Sequence, residues 1–161
     1  MISLKRYLFL LALLLLLVSC GFHLRGVGTN VGLKYSIWHI VNGGEITQPL
    51  KKELLRRSGV TIQESDVAAV IQFTRIDFNR QTQSINRYGG VDDFLYTLHV
   101  KCQIYYKNQP WGEPIDVVVE RYMRHHIDSL VAQEEEQHLR NEMYASVADT
   151  IVNRLYFLPD L

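Results

Sequence analysis

Two cysteines, Cys20 and Cys102, are too few to staple a small secreted domain into a disulfide framework. The apolar run at residues 7–18 is only 12 residues long, whereas a membrane-crossing helix needs roughly 20. Neither sign of charge is in excess: 17 lysines and arginines face 17 aspartates and glutamates. That balance excludes a strongly basic nucleic-acid binder, although it leaves room for a local basic patch. The sequence has no Walker loop, Rossmann fingerprint, nucleophile elbow or zinc-type Cys/His cluster. What remains is 161 residues with 47% hydrophobic and 21% charged content. This is enough apolar material for one core and too little charge for disorder.

Lys5 and Arg6 precede the apolar run, which gives the start of the chain the form of a secretory signal peptide. The run closes on Leu17-Val18-Ser19-Cys20. This resembles the bacterial lipobox, in which the cysteine sulfur takes a diacylglycerol and the new amino terminus is acylated after cleavage. One acyl chain holds a protein only marginally at a bilayer. Two or three, at about 0.8 kcal/mol per buried CH₂, make the anchor effectively permanent. The competing arrangement is an ordinary signal peptide with Cys20 paired to Cys102. Gly21 follows the cysteine, with no aspartate at that position. By resemblance to Gram-negative lipoproteins, that implies export onward to the outer membrane. Removing residues 1–19 leaves 15 basic and 17 acidic residues, a formal charge of −2. The expected plan is a lipoprotein signal peptide at 1–19, a lipidated N-terminus and Gly-rich linker at 20–32, and a single α+β domain at 33–161.

Along the mature chain, "LKYSIWHIV" (residues 33–41) alternates as a strand does, with Trp38 and Ile40 opposite Tyr35 and Ile37. "TQPLKKELLRRSG" (residues 47–59) carries the punctuation of a helix: Thr47 as cap, Pro49 in the first turn, Gly59 as stop. Leu50 and Leu54 form its buried stripe. In residues 69–85, Ile71 and Phe73 share one phase while Ile76 and Phe78 take the other, which predicts a bulge near Thr74. "NRYGG" then turns the chain, and residues 92–107 alternate strictly, with Phe94, Tyr96, Leu98, Val100, Cys102, Ile104 and Tyr106 on the core face. "NQPWGEP" reads as a second turn, followed by a partner strand at 115–126. Leu139, Met143, Val147, Ile151 and Leu155 recur every four residues, marking a helix of about 25 residues from near Asp128. Glu134, Glu135 and Glu136 stand near its start, where they complement the positive end of its dipole. The order β-α-β-β-β-α predicts a two-layer α+β sandwich, with two helices on one face of a four-stranded, mainly antiparallel sheet.

No catalytic constellation emerges, and an enzyme is not expected. His125 and His126 are adjacent, so on a strand they point to opposite faces and cannot chelate together. Glu134 and His138 stand four apart on a helix with no second ligand pair beside them. Ser84 and Ser129 lack a recognisable base nearby. Arg75, Arg80 and Arg87 gather on the second long strand and its turn, close to Tyr88. Their forked guanidinium groups suit phosphate, and a merely solubilising strand edge would look the same.

Several stretches together resemble the LPS-assembly lipoprotein LptE family: "CGFHLRG" just after the lipobox, "LKKELLRRSGV", "SINRYGGVDDFLYTLHV", and residues 121–155 from "RYMRHH" to "VNRL". The resemblance implies a non-catalytic outer-membrane lipoprotein without a cofactor, apart from S-diacylglycerol and N-acyl chains on Cys20. It implies two partners: an LptD-type β-barrel whose lumen the domain plugs from the periplasmic side, and lipopolysaccharide. It further implies lipopolysaccharide contacts through basic residues near the central turn and the start of the last helix. Arg87 matches the first, with Arg80 as a companion. At the second this chain has Gln133 followed by three glutamates, a departure from relatives that place lysine there. A scaffold lipoprotein of another envelope machine would share the anchor and the sandwich.

Overall fold

The strict alternation of residues 94–106 builds the central strand of the sheet, within β4 (Val91–Tyr106). A computed structural model describes residues 32–85, 87, 90–124 and 129–160. Tyr96, Leu98, Val100, Cys102 and Ile104 are all fully buried on one side of β4. Leu95, Thr97, His99, Lys101 and Gln103 face the other way. Period-two patterning of this kind is what a strand with one covered face requires.

On one side β4 pairs antiparallel with β3 (Ala69–Ile85). The pairing shifts by one residue between Phe73 and Arg75, so Thr74 is the extra residue of a bulge. Ile71 and Phe73 before it, and Ile76 and Phe78 after it, therefore all reach the core side. This bulge is the one the phase change at Thr74 predicts. On its other side β4 pairs antiparallel with β6 (Ile115–Arg124), which supplies Ile115 and Val117 to the core.

The remaining strands depart from the expected four. β1 (Ile37–Val41) lies parallel to β3, and its outer neighbour β2 (Thr61–Ile62) is also parallel to it. A two-residue β5 (Gln109–Pro110) folds back on the end of β4. The sheet is thus six-stranded and mixed, although its long pairings are antiparallel. The Lys107-Asn108 turn before β5 has both residues at positive φ, 49° and 62°. Such mirror-image turns match the right-handed twist of hairpin strands.

Two helices cover one sheet face. α1 (Thr47–Leu55) buries Leu50 and Leu54, as expected. Its cap position is Ile46, the last residue of a single 3₁₀ turn, and the Thr47 side chain makes no cap bond. α2 (Ser129–Leu155) buries Met143, Tyr144, Val147, Ala148, Ile151, Val152 and Leu155. Its first turn holds no acidic residue. Glu134–136 stand a turn later, beyond the reach of the unsatisfied amides that create the dipole.

An element without sequence warning closes the core at its far end. Trp111, expected in a turn, is 6% exposed and stacks on Trp38 with ring centroids 6.2 Å apart and planes at 11°. Its Nε1 donates to the Pro159 carbonyl at 3.0 Å, which ties the C-terminal segment to the sheet. Tyr35 packs edge-on against Trp111 and against Tyr106, 5.0 Å from the latter, and Tyr106 lies tilted against Trp111.

Cys102 is unpaired and fully buried, and burial pushes its thiol up to about 12. A thiol that far above neutral pH holds almost no thiolate and does not attack. The expected result is no reaction of Cys102 with a disulfide reagent at pH 8 until the domain unfolds. Counting thiols in denaturant also separates the three states of Cys20. A lipidated Cys20 leaves one reactive thiol per chain, a bare Cys20 gives two, and a Cys20–Cys102 disulfide gives none.

Candidate functional site

The chemistry-bearing side chains collect at the hairpin end of the sandwich, beyond the reach of β1 and α1. Here β3 and β4 run on to their turn, and the first half of α2 lies over them. Arg80 sits opposite Tyr96 in the register of β3 with β4, so it shares the covered face. Its guanidinium donates to Glu136 of α2 at 3.1 Å and lies 4.9 Å over the Phe94 ring. Tyr96 and Glu136 beside it raise its already high pKa further, against the opposing effect of partial burial.

A second arginine repeats the arrangement one step inward. Arg140 donates twice to Glu45, at 2.7 and 2.8 Å, and lies 4.5 Å over the Phe78 ring. This two-pronged contact ties α2 to the 3₁₀ turn that precedes α1. Beside Arg80 is Tyr96, fully buried, whose hydroxyl has no partner at hydrogen-bonding geometry although Arg80 and Glu136 stand close to it. Burial raises the pKa of this phenol, so it stays neutral. The same holds for Tyr144, where burial is again the main cause.

Of the residues singled out from sequence, Arg87 lies exposed in the turn between β3 and β4. Gln133 is exposed on α2, nearly three turns before Met143, the first fully buried residue of that helix. Arg75 does not join Arg80 as the sequence suggests. Arg75 stands opposite Lys101 on the uncovered face and pairs with Asp77, whereas Arg80 faces the helix. Five residues separate the two, and an odd spacing along a strand puts side chains on opposite faces. Cys20, Tyr88, His125 and His126 lie outside the described residues, as does the side chain of Ser129.

Elsewhere the side chains are occupied in ordinary structural ways. Ser84 donates to Asp93 at 2.7 Å, and His138 pairs with Glu142 at 3.2 Å. No group of three or more His, Cys, Asp or Glu side chains is arranged to hold a metal among the described residues. A groove of about 790 Å³ opens on the uncovered face, lined by His39, Glu64, Asp66, Tyr105 and Lys107. Among the described residues no hydrogen bond or ion pair joins any two of these, so nothing there pairs a nucleophile with a base.

Fold and site together define a class: a two-layer α+β sandwich with two paired arginines at its hairpin end. The family model for LptE, lipopolysaccharide-assembly, matches residues 36–155. The chain belongs to the LptE family of lipopolysaccharide-assembly lipoproteins, a family without catalytic chemistry or cofactor. Among solved structures it is similar to the rare lipoprotein B from Shewanella oneidensis, at 18% identity and a TM-score of 0.64, covering 75% of this chain and 93% of that one. A minor lipoprotein from Acinetobacter baumannii gives 19% identity and a TM-score of 0.66, covering 79% and 96%. Lipoprotein B from Nitrosomonas europaea gives 18% and 0.64, covering 84% and 88%. At these identities the likeness establishes the shared fold. No curated protein matches the sequence.

Proposed function

We propose that this protein is the lipid-anchored partner of an LptD-type outer-membrane barrel. It is made with a signal peptide at 1–19 and held at the inner leaflet of the outer membrane by acyl chains on Cys20. Residues 20–32 tether the domain, which plugs the barrel lumen from the periplasm and assists barrel assembly. It also helps deliver lipopolysaccharide to the outer leaflet, binding it without making or breaking bonds. The observation that carries this reading is the LptE family match across residues 36–155.

The physical character of the surface supports it. The interior of an outer-membrane barrel is polar. The uncovered sheet face offers Gln72, Arg75, Asp77, Asn79, Thr97, His99 and Lys101, with His99 bonded to Asp116 at 2.7 Å. Such a face is suited to a wet, hydrogen-bonding lumen. At the hairpin end, Arg87 is the exposed guanidinium that meets a lipopolysaccharide phosphate, and Arg80 is the second candidate.

One observation favours the other reading, a scaffold lipoprotein of a different envelope machine: Arg80 already has Glu136 as a partner. Arg87→Glu discriminates. A charge-assisted hydrogen bond is worth about 1.5–3 kcal/mol, so lipopolysaccharide affinity should fall about tenfold or more. Unchanged affinity would mean that the lipid role is misplaced at this residue and would favour the scaffold.

A further inference from the structure

The two halves of α2 are held by different forces. In residues 143–155, seven side chains are buried at 4% exposure or less. In residues 130–142 no side chain is fully buried: Leu139 packs half-buried against the core, while Leu130 is 72% and Val131 40% exposed. Two arginine clamps fasten this first half: Arg80 of β3 to Glu136, and Arg140 to Glu45. Arg80 is half exposed and Glu136 one-third exposed, so water and salt screen that pair. Beneath lie Ile76, Phe78, Phe94 and Met123, apolar but only partly buried.

A helix whose far half is locked by a core, and whose near half rests on exposed ion pairs and one half-buried leucine, opens locally at its near half. We propose that residues 129–142 form a releasable strap, and that a phosphorylated glycolipid opens it by taking Arg80 in place of Glu136. This rests on the lipopolysaccharide-binding reading given above. The exchange is chemically matched. A phosphate offers the guanidinium fork more acceptor oxygens and more charge than one carboxylate. Glu136, released into water, is fully solvated. Lifting the strap as far as the Arg140–Glu45 clamp then uncovers Phe94 and Met123, an apolar strip beside the phosphate for the acyl chains that a phosphoglycolipid carries and inorganic phosphate lacks. Glu136 thus acts as a built-in competitor, which keeps the strip covered until the right amphiphile arrives.

The test is amide hydrogen exchange on the full lipidated chain in mild detergent, with lipid binding measured alongside. In the wild type, residues 130–142 should exchange at least about tenfold faster than 143–155. Glu136→Gln should speed exchange in 130–142 several-fold, leave 143–155 unchanged, and tighten binding of diphosphorylated lipid A. Glu134→Gln, which removes an exposed charge two residues before Glu136 in the same turn, should do neither. Diphosphorylated lipid A should loosen residues 130–142 in the wild type, while dephosphorylated lipid A and inorganic phosphate should not. Arg80→Gln should abolish that response. Equal protection of the two halves, or an identical effect of Glu134→Gln and Glu136→Gln, would overturn the strap. Lipid A that binds without loosening the helix also overturns it and leaves the functional reading standing. Absence of any lipid A binding removes both. Loosening by inorganic phosphate alone would show that the acyl chains play no part and overturn the glycolipid assignment.

Discussion

Trp38→Ala is expected to destabilise the domain by about 3–5 kcal/mol, the range for emptying a buried aromatic site. Trp38 is fully buried, stacks on Trp111, meets Tyr35 edge-on at 6.5 Å, and donates its Nε1 to the Tyr35 carbonyl at 2.9 Å. It also sits where β1 joins β3 in parallel, pairing with Ala69. Truncation leaves a cavity that cannot collapse, because a paired strand fixes its floor and the Trp111 ring its wall. Domains of this size have about 5–15 kcal/mol in hand, so the variant should be near the edge of folding. Urea unfolding followed by circular dichroism measures the loss. Leu55→Ala is the control, since Leu55 is 58% exposed and such surface changes stay within about 0.5 kcal/mol. A loss for Trp38→Ala no larger than the control's would contradict the packing described.

Gly112→Ala is expected to be the next most damaging change, although it adds a single methyl group. Gly112 has φ +78°, in the left-handed region, where a Cβ costs about 1–2 kcal/mol. The added carbon would also stand 2.7 Å from Leu158 Cδ2 and 3.4 Å from Pro159 Cδ. Leu158 is 5% exposed and has little room to yield, and overpacking of this kind costs about 1–3 kcal/mol. A combined loss of roughly 3 kcal/mol should appear as a lower urea midpoint. The strain falls where Trp111 Nε1 holds Pro159, so exchange of that indole proton should quicken as well. Gly44→Ala, at φ +49° with open space around it, should show only the backbone part of the penalty. Equal losses at the two glycines would mean that Leu158 is not packed as described.

These two sites also mark where the sequence stops being readable. β4 is legible because one face is covered and one is not, and only a period of two satisfies both. The Thr74 bulge is legible for the same reason: a phase slip without an extra residue would bury Arg75 and expose Phe78. The Leu50/Leu54 stripe and the four-residue recurrence in α2 follow equally from a helix with one apolar side. Trp111 is different. It lies between Pro110 and Gly112 in a segment with every local mark of a turn, and stacking on a tryptophan 73 positions earlier puts it in the core. β2 and β5 have two residues each, too short for any period to register. Nor does alternation say that β1 runs parallel to β3, since the pattern is the same in either direction.

The candidate site was legible as residues but not as contacts. Arg80 and Arg87 stand out in a sequence that carries no recognisable catalytic motif. That Arg75 belongs to the opposite face was available from its odd spacing to Arg80. The pairing of Arg80 with Glu136, 56 positions away, was not, because it depends on where a long helix crosses the sheet. The glutamates that suggested a helix-dipole role turn out, in the case of Glu136, to neutralise an arginine instead.

Extraction of the native protein in a detergent that keeps barrels folded most directly tests the claim that this domain works inside a larger partner. A β-barrel of several hundred residues should co-purify with it in a fixed ratio through size exclusion, and should be lost only when the barrel itself is unfolded. Recovery of the chain as a lone monomer, with the cell's barrels intact in other fractions, would contradict the account.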